Sequence, residues 1–188
     1  MAYSVSATAL SDVLLLTPKV HQDSRGFFFE SFNQEDFARV TGVDLSFVQD
    51  NHSCSSKGVL RGLHYQINHV QGKLVRVAHG ELFDVAVNLQ QGHPEFGKWA
   101  GVTLSSKNQH QVWIPPGFGH GFLVLSDSAD VLYKTTDYYS HEDERCIRWD
   151  DPELLIEWPT VGKVILSDKD ARASTLKAAD TFKHDSRF

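Results

Sequence analysis

Short runs in which apolar and polar residues alternate dominate this chain, and glycine, proline or a polar cluster closes each run. Alternation with a period of two puts successive side chains on opposite faces of an extended strand. The clearest case is Leu82 to Leu89, which sets Phe83, Val85, Val87 and Leu89 on one face and Asp84 and Asn88 on the other. Similar runs are Val13 to Leu16, Phe27 to Phe29, Phe47-Val48, Val59 to Tyr65, Leu74 to Val77, Val102 to Leu104, Val112 to Ile114, Phe122 to Leu125 and Val131 to Thr135. Between them fall Gly42, Gly58, Gly80, Gly92-His93-Pro94 and Pro115-Pro116-Gly117. Only two segments have helical character: Gln34 to Thr41, behind Asn33 as N-cap, and Asp168 to Ala179. Many short strands at this spacing predict a sandwich or barrel. One all-β domain over residues 1–188, with short peripheral helices, is the simplest architecture.

Composition narrows the function classes. A net charge of −6 argues against a general nucleic-acid binder, though local arginines and lysines still suit a small anionic ligand. Twelve Phe, five Tyr and four Trp supply a β core and a stacking surface better than a helical bundle. The two cysteines, Cys54 and Cys146, are far apart and form no CxxC, so no disulfide framework is expected. No signal-peptide pattern opens the sequence and no apolar run reaches membrane-spanning length. A cytoplasmic protein with no membrane partner is the corresponding expectation.

The most informative stretch for chemistry is Gly58-Val59-Leu60-Arg61-Gly62-Leu63-His64-Tyr65-Gln66. As a regular strand it puts Leu60, Gly62, His64 and Gln66 on one face and Arg61, Leu63 and Tyr65 on the other. A bulge at a glycine would bring Arg61 and His64 to one mouth. A histidine base beside an arginine anion clamp would suit an enzyme acting on a phosphorylated small molecule. Taken alone, however, the stretch reads more simply as a strand with a satisfied core histidine and a surface arginine. The ten histidines include no HxH or HExxH, so metal is disfavoured. No GxGxxG, GxxxxGK[ST] or GxSxG occurs. Gly117-Phe118-Gly119-His120-Gly121 has the wrong spacing for a phosphate loop and is expected to be a tight turn, with His120 in the turn or at a pocket rim.

Several motifs occur together and in order: Asp23-Ser24-Arg25-Gly26-Phe27-Phe28-Phe29-Glu30, Phe47-Val48-Gln49-Asp50-Asn51-His52-Ser53, Gly58 to Gln66, and Gln71-Gly72-Lys73-Leu74-Val75-Arg76. Phe83-Asp84-Val85-Ala86-Val87, Trp113 to Phe122, Tyr133-Lys134-Thr135-Thr136-Asp137-Tyr138-Tyr139 and Leu166-Ser167-Asp168-Lys169-Asp170 follow. From about residue 10 to about residue 172 the chain resembles the dTDP-4-dehydrorhamnose 3,5-epimerase family. The resemblance implies a jelly-roll (cupin-like) double-sheet barrel, a homodimer, a dTDP-sugar substrate, and neither metal nor organic cofactor. It makes His64 the general base, Asp170 its dyad partner, Tyr133 the general acid and Lys73 the lysine near the keto oxygen. Arg25, Glu30, Gln49, Asn51, Arg61, His120, Glu144 and Lys169 match substrate-contacting positions, and Tyr139 matches an aromatic that stacks on thymine.

These residue types suit that chemistry. A C4 ketone acidifies the protons on C3 and C5, so a positioned base can form an enolate at either carbon. Asp170 would fix the His64 tautomer, and Lys73 would face the developing oxyanion. Inversion needs a donor on the opposite face, and a Tyr133 phenol drawn towards neutrality by a nearby lysine would serve. Three alternatives stay open at this stage. One is a monoepimerase or ketoisomerase on a related dTDP-keto-sugar. The others are a non-catalytic sugar-nucleotide binding module and a metal-dependent cupin oxygenase.

Overall fold

The computed structural model describes residues 3–184. In chain order the elements are β1 (Tyr3–Ala7), β2 (Leu14–Pro18), β3 (His21–Asp23), β4 (Gly26–Phe28), α1 (Gln34–Thr41), β5 (Gln49–Ser56), β6 (Leu60–Gln66), β7 (Lys73–His79) and β8 (Glu81–Asn88). They continue with β9 (Gln90–Gln91), β10 (Trp99–Ser105), β11 (Gln111–Ile114), β12 (Phe118–Val124), β13 (Ser128–Thr135), β14 (Glu144–Cys146), α2 (Asp168–Ala171), a 3-10 turn (Leu176–Ala178) and β15 (Phe182–Lys183). Two antiparallel sheets face each other, with strand orders β1-β2-β11-β7-β13-β5 and β10-β8-β12-β6-β14. This is the jelly-roll arrangement that the strand spacing predicts. Among the described residues no helix is long and apolar enough to cross a membrane.

Three apolar layers follow from the alternation. Between the sheets pack Val75, Val77, Leu82, Ala86, Leu104, Val112, Ile114, Phe118, Phe122, Val124 and Val131. The opposite face of β8 sends Val85 and Val87 against Leu63, Tyr65, Ile147, Leu154 and Leu176, so the chain after β14 covers the outer face of the five-stranded sheet. On the outer face of the other sheet, Phe37 of α1 meets Phe47 and Trp113 edge-on, with ring centroids 5.3 Å away in each case. Helix α1 begins where expected. Asn33 accepts a hydrogen bond from Asp36 N at 3.1 Å, and Gly42 closes the helix in the left-handed region.

Three expectations need correction, and one strand was not expected. The Gly117–Gly121 turn is a turn only to Gly117: Phe118–Val124 is a central strand whose every residue is buried. Its glycines serve close strand approach, since a Cβ at Gly121 would stand 2.7 Å from the Arg61 carbonyl oxygen. The helix expected over Asp168 to Ala179 stops at Ala171, because Ser174 is held by a bridge to Ile147 and Leu176 N is bound by Asp151 at 2.8 Å. The strand placed at Phe47-Val48 begins instead at Gln49, and β1 carried no clear alternation signal.

Candidate active site

The inward faces change character across the sheets. Towards β8, β10 and β11 they are apolar; towards the β5 and β14 edges they are polar. There a cleft of about 170 Å³ is lined by Arg61, His64, Lys73, His120, Tyr133, Tyr139 and Glu144, with Ser53, Gln66 and Gln71. The sheets supply facing walls: β6, β12 and β14 carry His64, His120 and Glu144, while β7 and β13 carry Lys73 and Tyr133.

Strand β6 achieves this by an irregularity. His64 pairs with His120 and Arg61 with Phe122, so one extra β6 residue lies between these two pairs. That residue count turns Arg61 to the same cleft as His64, as a bulge at Gly62 predicts. Gly62 has φ +118° and sits against Gly121, where a Cβ would come within 2.5 Å of the Gly121 Cα. Only glycine fits both the conformation and the approach.

His64 Nε2 lies 2.5 Å from Asp170 Oδ1. Asp170 is buried at 3% exposure, and Ser167 Oγ donates to its other oxygen at 2.8 Å. Ser167 also caps α2 by accepting from Asp170 N, so the short helix exists largely to present this carboxylate. Burial disfavours the Asp170 carboxylate, but the bonds from His64, Ser167 and Cys146 outweigh it and hold the pKa below the usual range. Burial also pushes the His64 imidazole below its ordinary value, against the pull of Asp170. The resting pair is therefore an ionised aspartate and a neutral imidazole, with Nε2–H towards Asp170 and the Nδ1 lone pair free.

Lys73 is buried, and its Nζ donates to the His64 carbonyl at 3.2 Å. Desolvation lowers its pKa to about 8, opposed by the charges of Asp84 and Glu144. Tyr133 sits opposite Asn51 in the β13–β5 register. Burial raises the Tyr133 pKa, and nearby Arg61 only partly offsets this. The expectation of a phenol drawn towards neutrality is thus overturned for the resting site: the tyrosine is a firmly protonated donor. Arg61 Nε donates to Ser55 Oγ at 3.0 Å.

At the rim, Lys169 Nζ pairs with Glu144 Oε1 at 2.7 Å, and Tyr139 OH donates to Glu144 Oε2 at 3.3 Å. Burial opposes the Glu144 charge, yet Lys169 holds its pKa low. Gln49 accepts from Tyr139 N at 3.0 Å and donates to Asn51 at 2.9 Å, and both lie on the same face of β5 as Ser53, which lines the cleft. Asn51 Nδ2 and Ser53 Oγ are buried without a hydrogen-bond partner. Such groups suit the oxygens of a ligand.

Two expected residues are not brought in. Arg25 sits on the β3–β4 hairpin, pairs with Asp23 at 2.7 Å and is 87% exposed. Glu30 follows that hairpin and accepts from Asn33. Neither lines the cleft of its own chain.

The structure also adds residues that the sequence did not single out. Asp84 holds His120 Nε2 at 2.9 Å, a second His–Asp pair beside the first, with His120 on the strand next to that of His64. The signal was present as an aspartate on the inward face of the apolar strand β8. Ser167 was legible as an N-cap serine three residues before Asp170. Cys146, with Sγ 3.5 Å from Asp170 Oδ1, carried no signal.

Known proteins match this chain over most of its length. The model of the dTDP-4-dehydrorhamnose 3,5-epimerase family matches residues 7–178. The chain is 57% identical over 174 residues to the Pseudomonas aeruginosa dTDP-4-dehydrorhamnose 3,5-epimerase, covering 93% of this chain and 96% of that protein. It is 55% identical over 174 residues to the Escherichia coli enzyme of the same name, covering 92% and 94%. Among solved structures, it is similar to the dTDP-6-deoxy-D-glucose-3,5-epimerase of Legionella pneumophila in complex with dTDP-4-keto-L-rhamnose. The TM-score is 0.96 at 48% identity, with 98% of this chain and all (100%) of that one covered.

Proposed function

The chain belongs to the dTDP-4-dehydrorhamnose 3,5-epimerase family, and from that premise we propose how its own residues invert C3 and C5 of dTDP-4-keto-6-deoxy-D-glucose to give dTDP-4-keto-L-rhamnose. His64 Nδ1 removes the proton next to the ketone, and Asp170 stabilises the imidazolium that forms. Lys73 places its ammonium at the C4 oxygen as the enolate develops. Tyr133 delivers a proton to the other face of the same carbon. The single observation that carries this reading is the separation of base and acid onto facing sheets, His64 on β6 and Tyr133 on β13, around one cleft. Removal from one side and return from the other yields inversion.

The remaining residues fit the rest of the substrate. Arg61, His120 and Lys169 offer positive or hydrogen-bonding groups to sugar and diphosphate, and Glu144 orients Lys169. The exposed Tyr139 ring gives thymine a stacking face, and Gln49 with Asn51 supports that edge. Arg25 and Glu30 fit only as a contribution from a second copy. Their hairpin also exposes Phe27 and Phe28 at 60% and 70%, apolar surface that a homodimer would cover.

The test is proton NMR of the keto-sugar nucleotide in D2O with chelator-treated protein. Exchange at both C3 and C5 is expected, and His64→Ala should abolish it while dTDP still binds. Exchange at one carbon alone would make the protein a monoepimerase. Retained exchange in His64→Ala would remove the base assignment.

A further inference from the structure

Cys146 has no part in those proton transfers, yet it stands directly opposite His64 in the β14–β6 register. Its sulfur lies 3.5 Å from Asp170 Oδ1, the oxygen that meets His64 Nε2 at 2.5 Å. The ligating atoms of His64, Cys146 and Asp170 all lie within 4.8 Å of one another. An imidazole, a thiol and a carboxylate from three separate segments thus converge on one point beside the cleft. We propose that they form a site for a thiophilic divalent cation such as Zn²⁺, and that occupancy switches the epimerase off. The inhibitory half rests on His64 being the base; the binding half does not.

Tetrahedral zinc bonds nitrogen and oxygen near 2.1 Å and sulfur near 2.3 Å, which separates neighbouring ligands by about 3.4–3.6 Å. The Cys146–Asp170 spacing of 3.5 Å already fits. The His64–Asp170 contact must open by about 1 Å as the ion replaces the proton between them. Three protein ligands leave the fourth position for water. The charges facing this point are mixed: Asp170 and Glu144 favour a cation, while Lys73 and Lys169 oppose it. Burial pushes the Cys146 thiol up to about 12, so it is protonated until an ion displaces its proton.

The proton balance explains the inhibition. The thiol proton leaves to solvent as the S–metal bond forms. The Nε2 proton of His64 moves to Nδ1 as the Nε2 lone pair goes to the ion. Nδ1 then carries hydrogen and has no lone pair to abstract a substrate proton. No redox change is involved. A hard cation such as Mg²⁺ gains little from this sulfur-containing set.

The experiment titrates the chelator-stripped full chain with Co²⁺ in the absence of substrate, then displaces it with Zn²⁺. A thiolate-to-cobalt charge-transfer band saturating at one equivalent is expected, absent in Cys146→Ser. Zn²⁺ affinity should fall by about tenfold or more in that variant, the scale on which even outer-shell changes act at metal sites. The Zn²⁺ inhibition constant should rise by the same factor, each variant referred to its own metal-free rate. Cys146→Ala serves if the serine variant misfolds. No thiolate band, or equal Zn²⁺ affinity in wild type and variants, would overturn the site. A normal band with undiminished exchange would overturn the inhibitory half and the His64 assignment together, leaving the binding site standing.

Discussion

Replacing Asp170 by asparagine probes the proposed dyad most directly. The change keeps volume and a hydrogen-bonding group beside Ser167 and His64 but removes the charge that faces the imidazolium. At an effective dielectric near 20, a unit pair about 4 Å apart is worth about 4 kcal/mol. If most of that is felt only once His64 has taken the substrate proton, the rate of C–H exchange falls by about 1,000-fold, at about 1.4 kcal/mol per decade. The assay is deuterium incorporation at C3 and C5 under saturating substrate, alongside a melting temperature to establish that the variant is folded. The pH profile adds a sign. Asp170 pulls the His64 pKa up, so its loss lets desolvation lower that pKa further. The base stays deprotonated to lower pH, and the acid limb of the profile should move down. A folded variant that exchanges within about tenfold of wild type, with an unmoved acid limb, would refute the dyad reasoning.

Three further outcomes are expected. Activity should fall on the alkaline side as Lys73 loses its charge near pH 8, and Lys73→Arg, if it fits, should remove that limb while lowering the rate; the kcat/KM profile checks this. Tyr133→Phe should retain solvent exchange at C3 more than net inversion, measured by comparing deuterium incorporation with product formation. Gly62→Ala should cost about 2 kcal/mol or more of stability, seen in denaturant unfolding, and displace Arg61 from the cleft, because a Cβ there meets the Gly121 Cα at 2.5 Å and the His120 carbonyl oxygen at 2.6 Å.

Where the sequence was legible, local chemistry and tertiary structure agreed. Leu82 to Leu89 alternates because β8 packs both its faces, and Asn33 caps α1 because its side-chain oxygen accepts from Asp36 N while its amide nitrogen donates to Glu30. Strand β5 was invisible because Gln49, Asn51 and Ser53 turn inward to a polar cleft, so neither face carries an apolar stripe. The first half of strand β12, Phe118 to Gly121, was masked by its glycines, which look like turn residues until their neighbours are known, whereas Phe122 onwards was legible. Helix α2 was overestimated because backbone pairing to Ile147 and the Asp151 carboxylate won over helix propensity after Ala171. At the site, motifs gave the residue types of Arg25 and Glu30. They could not say that both would lie outside the cleft of their own chain.

The sequence distance between His64 and Asp170 has a consequence for biosynthesis. The two groups are 106 positions apart, and the second lies in the segment that closes over the five-stranded sheet. At bacterial-to-eukaryotic elongation rates of about 5–20 residues per second, the aspartate is made about 5–20 s after the histidine. Both sheets' principal strands, through β13, have been made before then. A nascent chain can therefore hold a nearly complete barrel whose histidine still lacks its partner. The His64–Asp170 contact forms only when the segment carrying Asp170 docks, so under the proposed mechanism onset of full-rate proton exchange during synthesis would report the arrival of that layer over the five-stranded sheet.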